Sequence, residues 1–186
     1  MGIVITVGGL HGTGKTTYAK ALAEHLGLRH VSAGELFRRL AEEKNLTLEG
    51  LAELAWADHT IDREIDERII QEAERGDVIL DGQLAAWMVD GRADLKILLI
   101  APREVRIRRI AEREKLTFQE AEASTLAREE AERRRYMKIY NIDVADPSIY
   151  DLIVDTNLYP LEEMKKILNK IVEDYIQTLK ERRRKV

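Results

Sequence analysis

Cysteine is absent from the 186 residues, which excludes disulfides, thiolate metal sites and cysteine nucleophiles and suits a reducing cytoplasm, the expected location. Proline is scarce at 3 residues, so helices have room to run long and each proline marks a break. Long apolar runs are missing too. Runs such as Ile97–Ala101 fall far short of the roughly 20 residues that cross a bilayer, and the first residues, MGIVITVGG, lack the basic leader of a targeting segment. Neither charge sign dominates. The net charge of −4 is too small to attract polyanions through a whole-molecule field, so nucleic acid and membrane are not expected partners. What remains is 45% hydrophobic and 34% charged, the make-up of a soluble globular protein with one domain over residues 1–186, expected to be a monomer.

The succession of periodicities predicts an α/β fold. The β-branched run Ile3–Val7 reads as a buried strand, and after a glycine stretch Lys15–Leu26 has helical spacing. A short strand at His30–Val31 and a helix over about Glu35–Glu43 follow, then one or two helices within Leu48–Glu74. DVILDG and LKILLIAP are uninterrupted apolar runs between breakers, the signature of strands buried on both faces of a parallel sheet. Glu104–Tyr140 is helical and highly charged, YDLIVDT is a last buried strand, and Leu161–Arg184 a final helix. Alternation of this kind gives a mostly parallel sheet with helices on both faces. Pro102, Pro147 and Pro160 all fall at proposed junctions.

Gly8–Thr17 spells GGLHGTGKTT, and within it Gly9–Thr16 matches G-x-x-x-x-G-K-[ST], with a strand before and a helix after as a phosphate-binding loop requires. Glycine lets successive N–H groups turn inward as a nest for phosphate oxygens, and the following helix aims its positive end at the same anion. Gly8, Gly9, Leu10, His11, Gly12, Thr13, Gly14, Lys15, Thr16 and Thr17 therefore form the candidate site for ATP. Lys15 is placed to bridge the β and γ phosphates and Thr16 to ligate Mg2+, with Thr13 and Thr17 as further donors. His11 stands at a variable position of the pattern rather than as a base.

A nucleotide loop alone fits GTPases, motor ATPases and small-molecule kinases. The guanine-reading N-K-x-D segment of a GTPase is missing from any suitable place. SAGELFR, from Ser32 to Arg38, instead follows the second strand: a short polar residue that caps a helix, then an arginine whose fork suits phosphate. VILDGQLAAW sets Asp81 at the carboxyl edge of the sheet, where it orients magnesium through water, positions an acceptor or caps a turn. Taken in this order, these segments resemble the P-loop nucleoside monophosphate kinases, and most closely the cytidylate kinases in their short archaeal form. The resemblance covers Gly8 to about Thr156. It implies a three-layer α/β sandwich on a five-stranded, mostly parallel sheet, with a helical acceptor-binding insertion over about residues 33–75 and an arginine-rich lid over about 109–135. It further implies that Ser32 and Gly34 line the acceptor site, that Arg38 holds the acceptor's phosphate, and that the loop after Asp155 and Thr156 packs on the donor base. Where the family often carries arginine after D-G this chain has Gln83, whose amide both donates and accepts, as a pyrimidine edge requires.

Nine arginines lie between Arg103 and Arg135. Arg109 and Arg113 are four apart on one helix face, and Arg128 and Arg135 seven apart on another. EKLTFQEAEAST between them reads as the tip of a lid, since arginines neutralise a phosphoryl group in flight only where water is excluded. By resemblance Arg109 and Arg113 match lid arginines of the adenylate kinase branch. Arg128, Glu132 and Arg135 echo a bacterial R-D-x-x-D-x-x-R pattern, with Glu in place of both acids. Arg106, Arg108, Arg133 and Arg134 are expected at the surface, paired with the interleaved glutamates. The expected activity is transfer of the γ-phosphoryl group of ATP to CMP or dCMP. Lys15, Arg113 and Arg128 are the expected catalytic contacts, Arg109 serves the donor, and Asp81, Gln83, Arg128, Glu132 and Arg135 serve the acceptor. The rivals are an adenylate or other small-molecule kinase and an ATP-binding regulatory module without transfer activity.

Overall fold

The computed structural model describes residues 2–184; Met1, Lys185 and Val186 lie outside them. Five parallel strands form the centre in the order β2-β3-β1-β4-β5. They are β1 Val4–Gly8, β2 Arg29–Ser32, β3 Val78–Asp81, β4 Leu95–Ile100 and β5 Leu152–Asp155. The helices are α1 Lys15–Leu26, α2 Ala33–Glu43, α3 Leu48–Ala57, α4 Thr60–Arg75, α5 Ala85–Met88, α6 Arg103–Glu114, α7 Phe118–Tyr140 and α8 Leu161–Arg184. Parallel strands need crossovers, and the helical segments supply them on both sides of the sheet.

On one face Ile5, Val7, Ile79, Ile97 and Leu99 pack against Tyr18 and Leu22 of α1 and Met164, Leu168 and Val172 of α8. The other face sets Val4, Val78 and Leu80 against Ile69 and Ala73 of α4 and Ala85 of α5. That second layer stops short of the far edge. β4 buries alternate residues only, with Ile100 42% exposed, and Ile153 of β5 is 49% exposed. The expectations that β4 is buried on both faces and that β5 is a buried strand are therefore corrected. An apolar run fixes a strand, but whether a second layer reaches it depends on where the crossovers land.

Two helical stretches resolve further. α3 and α4 break at Asp58, and with Leu40, Leu51, Ala55 and Ile61 the α2–α4 segment builds its own small core. Glu104–Tyr140 is two helices, not one. Lys115 adopts a left-handed φ of 58° at the end of α6, and Thr117 and Glu120 exchange hydrogen bonds as a capping box that starts α7. The expected lid tip is thus a three-residue turn plus the first turns of α7, with α6 and α7 joined through Ile107, Ile110, Ala111 and Ala121. α2 begins at Ala33, two residues earlier than expected, because the Ser32 side chain accepts from Glu35 N at 3.4 Å.

Candidate active site

The glycine loop runs from the end of β1 into α1. At Gly12 φ is +78°, and a Cβ there would sit 2.4 Å from the Arg106 carbonyl oxygen, so only glycine fits. Gly14, also left-handed, occupies the cap position of α1; no side chain caps the helix and its first turn holds no acid. The first N–H groups of α1 are consequently open to an anion.

Lys15 folds back over this loop and donates from Nζ to the Leu10 carbonyl at 3.0 Å. Burial pushes its ammonium down to about 8, against the opposing pull of Asp81 and Glu132. A triphosphate in the loop would supply the missing counter-charge. Thr16 Oγ1 points at Asp81 Oδ1, 3.4 Å away. Asp81, at the carboxyl end of β3, also accepts from Ser32 Oγ at 2.8 Å and His30 Nε2 at 2.6 Å. One carboxylate thereby joins the phosphate loop to the first residue of α2. Farther along α2, Arg38 is exposed, and its Nη1 passes 3.6 Å from the point where a Gly34 Cβ would stand.

The cleft above the sheet edge has a volume of about 1480 Å³, larger than the roughly 300–1,000 Å³ of a single-ligand pocket. It brings together most of the expected residues: His11, Gly12, Gly14, Lys15, Thr16, Thr17, Ser32, Gly34, Arg38, Asp81, Gln83, Arg109, Arg113, Arg128, Glu132 and Arg135. Four expected loop residues do not line it. Gly8 lies beneath Tyr150, while Gly9, Leu10 and Thr13 border a separate cavity of about 280 Å³. Thr13 corrects the expectation of a phosphate donor, because its buried hydroxyl donates to the Leu10 carbonyl at 2.9 Å to brace the turn.

Each arginine of the expected lid is already held. Arg109 donates to Thr156 Oγ1 at 2.9 Å and to its carbonyl at 3.0 Å, fixing α6 to the end of β5. Arg113, with its side chain 64% exposed, contacts Glu114; Arg128 Nε donates to Glu132 at 3.0 Å. Arg135 is buried with its Nε 3.1 Å from Asp62 Oδ2, although neither atom completes a hydrogen bond. Burial pushes the Asp62 carboxyl up, opposed by Arg135, and raises Asp66 to about 6.

Arg106 overturns its assignment to the surface. It is buried and donates to the His11 carbonyl at 2.7 Å and to Glu129 Oε1 at 2.6 Å, while Glu129 also accepts from His11 N at 3.2 Å. The pair clamps α6 and α7 onto the glycine loop. Spacing carries the signal: Arg106 lies three residues before Arg109, and Glu129 three before Glu132, so each shares its partner's helix face. His30 and Asp62 were also missed, and nothing in their local sequence marks them.

Among the described residues, no helix is long and apolar enough to cross a membrane. The profile of the Cytidylate kinase-like family matches residues 4–158. A protein of Methanopyrus kandleri named cytidylate kinase is 44% identical over 184 residues, covering 94% of this chain and 95% of the relative. The Pyrococcus furiosus protein of the same name is 49% identical over 155 residues, covering 83% and 80%. Among solved structures, an uncharacterised protein from Eubacterium ventriosum superposes with a TM-score of 0.70 at 18% identity over 92% of this chain and 98% of its own. A shikimate kinase from Bacteroides thetaiotaomicron gives 0.63 at 15% identity over 92% and 98%. At those identities the two structures speak to the α/β kinase fold alone.

Proposed function

The chain belongs to the cytidylate kinase-like family, and on that premise we propose that it is an enzyme transferring the γ-phosphoryl group of ATP to CMP or dCMP, giving ADP and CDP or dCDP. The observation that carries the reading is Asp81, whose single carboxylate accepts from Thr16 of the phosphate loop and Ser32 at the head of α2. Donor and acceptor elements are thereby tied at one edge of one cleft, as an in-line transfer needs.

The acceptor phosphate is an ionised oxygen nucleophile, so no strong general base is required. Catalysis is positioning and charge neutralisation. The loop N–H groups and Lys15 hold the donor phosphates, Arg38 holds the acceptor phosphate, and Arg113 and Arg128 close on the transferring group. Thr16 and Asp81, two hard oxygen donors 3.4 Å apart, suit Mg2+, which keeps several waters and takes its remaining ligands from substrate phosphates. No cluster of three or more His, Asp or Glu residues fit to hold a metal occurs among the described residues, so a protein cage for a resident ion is not part of the reading. When bound, the ion neutralises charge on the phosphates.

A coupled assay with ATP and a panel of CMP, dCMP, UMP and AMP tests the reading. CMP and dCMP are expected to be the fastest acceptors. Faster turnover of AMP or UMP refutes the acceptor assignment, and no ATP-dependent transfer to any of them refutes the kinase.

A further inference from the structure

Three side chains from distant parts of the chain meet beside the glycine loop. His11 Nε2 lies 2.7 Å from Glu132 Oε2, Gln83 Nε2 lies 2.8 Å from the same oxygen, and the two nitrogens are 3.0 Å apart. Only one arrangement of hydrogens satisfies both contacts to that oxygen. An ionised carboxylate brings no hydrogen, so the imidazole must carry one on Nε2. That nitrogen then has no lone pair for Gln83, and the two nitrogens are neighbouring donors to one oxygen. Turning the Gln83 amide over would press its carbonyl oxygen against the carboxylate with no hydrogen between them. The amide is therefore locked with its nitrogen toward Glu132, which leaves the carbonyl oxygen as its end for a ligand.

We propose, resting on the kinase reading above, that Glu132 is a positioning residue that fixes Gln83 as a hydrogen-bond acceptor toward the acceptor base, so that the cleft selects an amino-bearing pyrimidine over an oxo one. Cytosine offers the N4 amino group to that oxygen. Uracil offers O4, and two acceptors would face each other in a partly buried site, which is where discrimination is strongest. Glu132 keeps its charge: burial pushes its carboxyl up, but the hydrogen bond and charge of His11, together with Arg128, outweigh this and hold it at about 2. Its other oxygen accepts from Arg128 Nε at 3.0 Å. Both oxygens being engaged, Glu132 acts through Gln83 rather than by touching the base, a change from the direct contact expected for it. His11, standing in the donor loop, makes the orientation depend on the shape of that loop.

The test compares kcat/KM for CMP and UMP, each with ATP, in the wild type, Glu132→Gln and Gln83→Met. The wild type is expected to prefer CMP. In Glu132→Gln either end of the new amide can face Gln83, which becomes free to turn, and the CMP-to-UMP ratio is expected to fall roughly tenfold or more. Gln83→Met keeps the bulk, leaves the His11–Glu132 contact in place and is expected to lose the preference to a similar degree, which keeps the test intact if the buried substitution impairs folding. A ratio that holds in either soluble variant while both bases slow together overturns the orientation role and leaves the kinase reading standing. A wild type that phosphorylates neither pyrimidine overturns both.

Discussion

Lys15 is expected to make nucleotide binding a proton-uptake reaction. Its ammonium is pushed down from 10.5 to about 8 by burial in a loop with only partial counter-charge. A bound triphosphate surrounds it with negative oxygens and restores the charged form. At pH 9 about one tenth of empty molecules carry this charge and nearly all bound ones should, so binding takes up about 0.9 proton; at pH 7 the uptake falls to about 0.1. Calorimetric titration with a non-hydrolysable ATP analogue, in two buffers of different ionisation heat, reads the number directly. Uptake near zero at pH 9 would refute the assignment of Lys15 to the phosphates. The same shift has a sign in folding. A depressed lysine burdens the folded state fully below about 8, and the burden lifts as pH rises from there to 10.5. Lys15→Met is thus expected to melt no lower than wild type at neutral pH while turnover falls by roughly 10²–10³-fold or more, a pairing that separates a binding residue from a structural one.

The remaining predictions concern arginines. Arg106→Ala is expected to lower stability in a urea melt by about 3–5 kcal/mol, because it strands Glu129 in a site where the pair's side chains are 7% and 13% exposed. Replacing both partners with Met and Leu should recover most of the loss. Arg113→Ala should leave the melting temperature unchanged, since its ion pair with Glu114 is at the surface, while kcat falls by roughly 10²-fold if the arginine reaches the transferring group; an unchanged kcat removes it from the catalytic set.

The parts of the molecule that were legible in the sequence are those whose cause is local. The glycine loop declares itself because its backbone conformations and its flanking strand and helix lie within twenty-odd residues of chain. Ser32 and Asp81 were placed correctly at two strand ends, but the bond between them is a product of register: β2 and β3 pair Ser32 with Asp81 directly, which no spacing between residues so far apart encodes. Arg106 failed for a different reason. In a segment where arginine and glutamate alternate densely, composition says surface; the spacing places Arg106 on the face of Arg109, and the rotation of α6 against the loop turns that face inward while Arg108 faces water. Thr13 failed because a hydroxyl in a tight turn can serve the turn itself, and the choice between Leu10's carbonyl and a phosphate is made at the scale of a single rotamer.

The partners of the arginines also rank which of them can move. An empty cleft with several unpaired guanidinium groups would repel itself and hold strongly hydrated charge; here Arg109, Arg113, Arg128 and Arg135 each sit against a carboxylate or a carbonyl, so a nucleotide must exchange for those partners rather than simply add. Exchange is easy where water already screens the pair and hard where it does not. Side-chain exposure separates Arg113 at 64% and Arg128 at 48% from Arg135 at 6% and Arg106 at 7%. Arg113 can leave the exposed Glu114 at little cost and swing to phosphate, and Arg128 can follow because His11 and Gln83 keep the buried Glu132 partnered, whereas releasing Arg135 would abandon Asp62 in a buried site. Arg113 and Arg128 are therefore favoured as the groups that close on the transferring phosphoryl, with Arg106 and Arg135 as fixed walls. Release of Arg128 leaves His11 and Gln83 still holding Glu132 through its other oxygen, so closure on phosphate need not disturb the orientation of the amide that faces the base.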